Sequence, residues 1–215
     1  MTSRSLMLAD ICSNLRKSEP FEHLYDHLQP SALGPVPRLS AVSPEDLADR
    51  FSAELAGVGG EVRRVEGFEK AIETIKTIVG EIGANRVAIS DPEWIERYRT
   101  ELTKVELIED SSREELFAVD AGISTAQLAI AETGTLVLRS SMERHRLVSL
   151  VPPIHICLLN ADDIRPSMSD VLEELSNKID PTITFITGPS RTSDIELTLA
   201  IGVHGPKRLI VVLMD

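Results

Sequence analysis

The segment Thr182-Ile-Thr-Phe-Ile-Thr-Gly-Pro-Ser-Arg-Thr-Ser-Asp-Ile-Glu196 constrains the fold more than any other part of the chain. Ile183, Phe185 and Ile186 form an apolar run suited to a buried strand, and Gly188 supplies the dihedrals of a sharp turn. Ser193 with Glu196 three places on has the form of a capping box, so the pattern predicts a helix beginning near Thr192 or Ser193. A helix start leaves backbone N–H groups unpaired and carries partial positive charge. With Ser190, Arg191, Thr192 and Asp194 beside it, this turn suits a phosphate or carboxylate. The same residue types cap helices when no ligand is present, because first-turn N–H groups need partners in any case. The stretch is neither a Walker loop nor a nucleophile elbow. A second polar turn follows in Gly202-Val-His-Gly-Pro206, which holds Gly205.

Upstream, helical and strand patterns alternate. Residues 1–40 read as an N-terminal segment with helical stretches at Leu6–Leu15 and Phe21–Leu28 and a Pro- and Gly-rich loop. Residues 41–215 read as one α/β domain. Ser43-Pro44 opens a helix to about Ala56, and Phe68–Val79 is a second. Further helices are expected through Trp94, Ile95 and Tyr98, at Ser112–Leu116, Ser124–Ala131, Met142–Leu147 and Pro166–Asn177. Strands are expected at Glu61–Val65, Arg86–Ser90, Val105–Ile108, Ala118–Ile123, Gly134–Arg139, Ile154–Leu159 and Arg208–Leu213. Such alternation implies a mainly parallel sheet flanked by helices, with ligands beyond the carboxyl ends of its strands.

Composition narrows the function. The 22 Lys and Arg against 34 Asp and Glu give a net charge of −12, which disfavours a nucleic-acid partner. No apolar run reaches the roughly 18 residues of a membrane helix, and Asp10 interrupts what would be a signal peptide core, so a cytoplasmic protein is expected. Two cysteines, Cys12 and Cys157, lack the spaced partners of a zinc or iron–sulfur site. His23 and His27 share a helix face, but the Glu and third ligand of a zincin are missing, so no metal site is expected.

Three further groups carry chemistry. Ala131-Glu-Thr-Gly-Thr-Leu136 places Glu132, Thr133 and Thr135 around Gly134 at an expected helix-to-strand turn. There Glu132 reads either as a base or nucleophile or as a turn residue satisfying backbone groups. His204, between glycine-flanked neighbours, reads as an anion donor, a proton shuttle or a structural histidine. Arg139, Arg144, His145 and Arg146 form a basic patch, for which a solvated helix face is the plain reading, with Arg139 set apart at a strand end.

Four ordered motifs carry a family resemblance: Ala131-Glu-Thr-Gly-Thr-Leu-Val-Leu138, Leu150-Val-Pro-Pro-Ile-His155, Gly188-Pro-Ser-Arg-Thr-Ser-Asp-Ile-Glu196 and Gly202-Val-His-Gly-Pro206. Together they resemble the LUD domain, the family of lactate-utilisation protein C, over roughly residues 45–215. The resemblance implies a fold like that of glucosamine-phosphate deaminases, ribose-phosphate isomerases and CoA transferases. It implies a role beside iron–sulfur partner subunits that oxidise L-lactate to pyruvate, with the clusters on those partners and none bound by this chain. The expected site is a small-anion site formed by Thr133, Gly134, Thr135, Gly188, Ser190, Arg191, Thr192, Asp194 and Gly205, with Glu132 and His204 as facing walls. The alternative is a stand-alone enzyme of the CoA-transferase or sugar-phosphate-isomerase kind acting on a small anionic substrate. In that reading Glu132 resembles the glutamate that forms an acyl intermediate in CoA transferases, although the family's Asn-Gly turn is Thr133-Gly134 here.

Overall fold

The two longest apolar runs, Ile154-His-Ile-Cys-Leu-Leu-Asn160 and Arg208-Leu-Ile-Val-Val-Leu-Met214, become the central strands of the computed structural model. That structure describes residues 43–91, 95–109, 112–140, 146–176, 180–192, 200–201 and 205–215, together with Met7 and Ser13. The chain divides into two units, Met1–Arg38 and Leu39–Asp215. The expected helices of residues 1–40, with His23 and His27, lie outside the described residues, as do Trp94, Arg144 and His145.

Among the described residues the helices are α1 (Pro44–Gly57), α2 (Gly67–Glu81), α3 (Ile95–Glu101), α4 (Arg113–Leu116) and α5 (Met168–Ser176). The strands are β1 (Glu61–Val65), β2 (Arg86–Ile89), β3 (Glu106–Ile108), β4 (Ala121–Thr125), β5 (Leu128–Ile130), β6 (Thr135–Arg139) and β7 (Ile154–Asn160). They continue with β8 (Ile164–Arg165), β9 (Ile183–Ile186), β10 (Arg191–Thr192), β11 (Ala200–Ile201) and β12 (Arg208–Met214). Local chemistry sets several boundaries. Ser43 accepts the Asp46 N–H at the start of α1, with proline in the first turn, and Ser112 and Glu115 form a reciprocal capping box on α4.

Six strands form one wholly parallel sheet in the order β1-β12-β7-β4-β2-β3. Side chains alternate across a strand, so β7 and β12 feed two cores at once. Ile156, Leu158, Ile210 and Val212 pack under α2 and α3, with Ile72, Ile75 and Tyr98. Cys157, Leu159, Leu209, Val211 and Leu213 pack on the opposite face, against Phe51 and Leu55 of α1.

That second core is closed by a smaller sheet, β8-β5-β6-β9, in which β5–β6 and β6–β9 are antiparallel. Ala129, Leu136 and Leu138 face α1, while Leu128, Ile130 and Val137 face Val171 and Leu175 of α5. The layers therefore run α2 and α3, parallel sheet, α1 with the small sheet, then α5.

This arrangement corrects two expectations. Ser124–Ala131 is not a helix but the end of β4 followed by β5. Alanine, glutamine and leucine favour helix there, yet Leu128-Ala-Ile-Ala131 alternates large and small side chains between two cores, and that burial wins. The helix expected near Thr192 or Ser193 does not begin at Thr192, which with Arg191 pairs antiparallel with Ala200 and Ile201. Residues 193–199, including Ser193, Asp194 and Glu196, lie outside the described residues.

At the β5–β6 turn, Gly134 has φ +63°, and a Cβ there would run into the backbone of Leu55 at the end of α1. Replacing it therefore adds both left-handed strain and a clash with a segment that cannot retreat from the core. Gly134→Ala is expected to cost about 3 kcal/mol in urea unfolding. A loss below about 1 kcal/mol would show that this turn and α1 separate easily.

Candidate functional site

Three of the four motifs converge on a cavity of about 410 Å³. Leu150 and His155 come from the Leu-Val-Pro-Pro-Ile-His motif, Gly188 and Ser190 from the turn after β9, and Gly205 and Pro206 from the turn before β12. Ser149, Phe185, Thr187 and Leu209 complete the polar and apolar walls. Backbone hydrogen bonds stitch the segments together: Ser190 N donates to Pro206 O at 2.8 Å, and Lys207 N donates to Pro153 O at 2.7 Å. The fourth motif is joined through hydroxyls. Thr133 Oγ1 lies 2.6 Å from Thr135 Oγ1, which lies 2.7 Å from Thr187 Oγ1 on the cavity wall.

The cavity's place differs from the expected one. Gly205 and Pro206 precede β12, and Ser149 and Leu150 precede β7, so it opens at the amino ends of the central parallel strands. The carboxyl end that contributes is that of β9, in the small sheet. The reason is the small sheet itself: it carries the Thr187–Ser190 turn across to the amino edge, where Ser190 meets Pro206.

His155 is the residue that sequence reasoning passed over. It is fully buried, opposite Leu209 and Gly122 in the sheet register. Its Nε2 lies 2.7 Å from the buried hydroxyl of Ser124, and Nδ1 is buried with no hydrogen-bond partner among the described residues. Burial pushes its pKa from the usual 6.5 down to about 3, so the ring is neutral at physiological pH. A histidine set inside the apolar strand Ile154–Leu159 was the available signal, since such a polar break needs a partner or a purpose. A Cβ on Gly122 would strike the Val148 carbonyl, and only glycine lets the 3₁₀ turn Arg146–Ser149 come close enough to bring Ser149 to the wall.

The remaining expected site residues divide. Glu132 is not among the residues lining this cavity; its Oε1 accepts the Met168 N–H at 2.8 Å, holding the start of α5. Gly134 packs against α1. Arg191, expected to hold an anion, donates from Nη2 to Val58 O at 2.6 Å, at the carboxyl end of α1. Thr192 lies in β10, and Asp194 and His204 lie outside the described residues. Arg139, which ends β6, pairs through Nε with the buried Asp180 at 2.5 Å, a structural ion pair within the fold. Among the described residues no three His, Cys, Asp or Glu side chains gather to hold a metal ion, and no helix is long and apolar enough to cross a membrane.

The model of the LUD domain matches residues 48–214, nearly the whole α/β unit. The chain belongs to the LUD-domain family. A lactate utilization protein C of Halalkalibacterium halodurans is 30% identical over 189 residues, covering 80% of this chain and 81% of that protein. One from Deinococcus radiodurans is 28% identical over 86% of this chain and 88% of its own length. An uncharacterized protein of Neisseria meningitidis serogroup B is 43% identical over 47% of this chain, and this chain spans about half of that relative (46%). A crystal structure of a DUF162 family protein from Deinococcus radiodurans superposes with a TM-score of 0.64 at 24% identity, covering 81% of this chain and 100% of that one. That likeness shows the shared fold, a mostly parallel sheet flanked by helices.

The buried imidazole gives a pH signature. The unfolded ring takes a proton below about pH 6.5 and the folded ring only near pH 3, so the stability is complete above 6.5 and falls away as the pH drops between those values. Between pH 7 and pH 5 the native protein is expected to lose about 2 kcal/mol more than His155→Phe. Parallel urea-derived stability curves for the two proteins would refute the buried neutral ring.

Proposed function

We propose that this protein serves lactate utilisation as a cytoplasmic, ligand-binding subunit that works beside iron–sulfur partners oxidising L-lactate to pyruvate. The observation that carries the reading is the match to lactate utilization protein C, which extends over four-fifths of both chains; the LUD-domain match over residues 48–214 takes in the segments lining the cavity. Two cysteines fall short of the four thiolates of an ordinary iron–sulfur cluster, which supports a reading in which the electron-carrying centres sit on the partners. The role left to this chain is binding, and the cavity beside His155 is where its turns converge. Glu132 is not given the part of covalent nucleophile, because its carboxylate already receives the first amide of α5.

Deleting the gene is expected to abolish growth on L-lactate as sole carbon source while leaving growth on pyruvate intact, with the native gene restoring it. Unimpaired growth on L-lactate would overturn the pathway assignment. The tagged full-length protein should also retain cluster-bearing subunits through purification from lactate-grown cells, seen as their broad visible absorption. A preparation free of such subunits would remove the partnership from the reading.

A further inference from the structure

A second cavity lies on the other face of the parallel sheet, where the lactate reading places no role. It measures about 560 Å³, larger than the one beside His155, and shares no residue with it. It opens where α2 and α3 end, beside the segments that enter β2 and β3. Its floor is apolar: Val79, Ala84 and Leu102 are buried members of the core under α2 and α3, and Val105 packs against them. Size and floor match the small-molecule sites of soluble proteins, which set a few polar groups around an apolar hollow.

The polar groups at its rim are mostly donors. Lys76 answers Glu101, with Nζ 3.3 Å from Oε2. Among the described residues the Lys104 ammonium has no ion pair or hydrogen bond, and the adjacent Thr103 hydroxyl has no partner either. The backbone N–H groups of Thr103 and Lys104 make no backbone hydrogen bond among those residues. The carboxylates next to the lining are committed elsewhere: Glu81 to Arg63, Glu106 to Arg86, and Asp120 to the amides of Asn85 and Arg86. Two lysines against one glutamate leave the rim with a surplus positive charge, in a chain whose net charge is −12.

The plain reading of Lys104 is a cation serving the carbonyl end of a helix. That role asks the ammonium to meet the last carbonyls of α2 or α3, and it bonds none of them. In α2 the Ile78, Val79 and Gly80 carbonyls already accept the N–H groups of Ile82, Ala84 and Gly83, and in α3 the Tyr98 carbonyl accepts that of Leu102.

We propose that this cavity binds an amphipathic anion, its apolar body lying on Val79, Ala84, Leu102 and Val105 and its carboxylate or similar head held by Lys104 and Thr103. Burial of the body supplies most of the affinity, and the free ammonium selects the charge. The site is a second ligand position, independent of the cavity beside His155 and of the growth phenotype that tests the lactate reading.

The test is calorimetry on the full-length protein with 2-naphthoate, its uncharged counterpart 2-naphthamide, and acetate as the head group alone. Naphthoate is expected to bind about tenfold more tightly than naphthamide, and acetate far more weakly than either. Lys104→Met, at an exposed position, should erase the advantage of naphthoate. Lys70→Met removes the same charge near the start of α2 and should leave that advantage intact. Gly80→Phe should abolish binding of both aromatic probes, because a Cβ there meets nothing within 4 Å and the helix gains a better former than glycine. Naphthamide or acetate binding as tightly as naphthoate, an advantage that survives Lys104→Met or falls equally in Lys70→Met, binding untouched by Gly80→Phe, or no saturable naphthoate binding would each overturn the proposal. Naphthoate binding lost in Leu150→Asp would put the probe in the cavity beside His155 and overturn it as well.

Discussion

Burial of β7 and β12 on both faces is the constraint on which the rest depends. Each strand must send every second side chain into a different core, so both faces of the parallel sheet need a cover. On one face α2 and α3 suffice. On the other α1 covers only part of the sheet, and β5, β6 and β9 supply the remainder. The small sheet is thus a consequence of having two apolar faces to hide, and it brings the Thr187–Ser190 turn to the amino edge of β12. The cavity exists where that cover ends. His155 and Leu209 are paired across the sheet at this border, one polar and one apolar, and both belong to the wall.

The polar residues of the family motifs serve that architecture in different ways. Glu132 holds the first amide of α5, Gly134 admits the end of α1, and Arg191 occupies the Val58 carbonyl at the same helix end. None of these contacts needs a ligand. By contrast, Gly188, Ser190, Gly205 and His155 share one open cavity although 50 residues separate the first from the last along the chain. Motifs that look alike in a sequence, each a small residue among hydroxyls, therefore split into fasteners and walls only when their partners are known.

Much of the fold was legible because local signals agreed with burial. Ser43-Pro44 reads as a helix start and is one, Ser112 and Glu115 close a capping box, and the apolar runs of β7 and β12 lie in the sheet. The failures came where local preference and tertiary demand part. Leu128-Ala-Ile-Ala131 is built of good helix formers, yet its alternation of large and small side chains matches two cores lying on either side of a strand. The small sheet depends on pairings such as Leu136 with Ile186, fifty residues apart, which no local pattern announces. At the site, the convergence of the Gly188 and Gly205 turns was readable from composition, but the direction of Arg191 was not, because its acceptor lies 133 residues earlier. His155 was visible as a polar break in a strand, and its meaning waited on Ser124 across the sheet.

The row of threonine hydroxyls has a consequence of its own. Thr133, Thr135 and Thr187 stand in sequence at 2.6 and 2.7 Å, and each hydroxyl hydrogen turns freely about its C–O bond. Thr135 is buried and could accept from both neighbours only by stranding its own hydrogen, so the donors favour one direction along the row and reversing one reverses the others. Thr187 can then offer its neighbour either a hydrogen or a lone pair while every heavy atom stays in place. The wall at that point is rigid in shape but undecided in polarity, and whatever sits against it chooses the direction of the whole row.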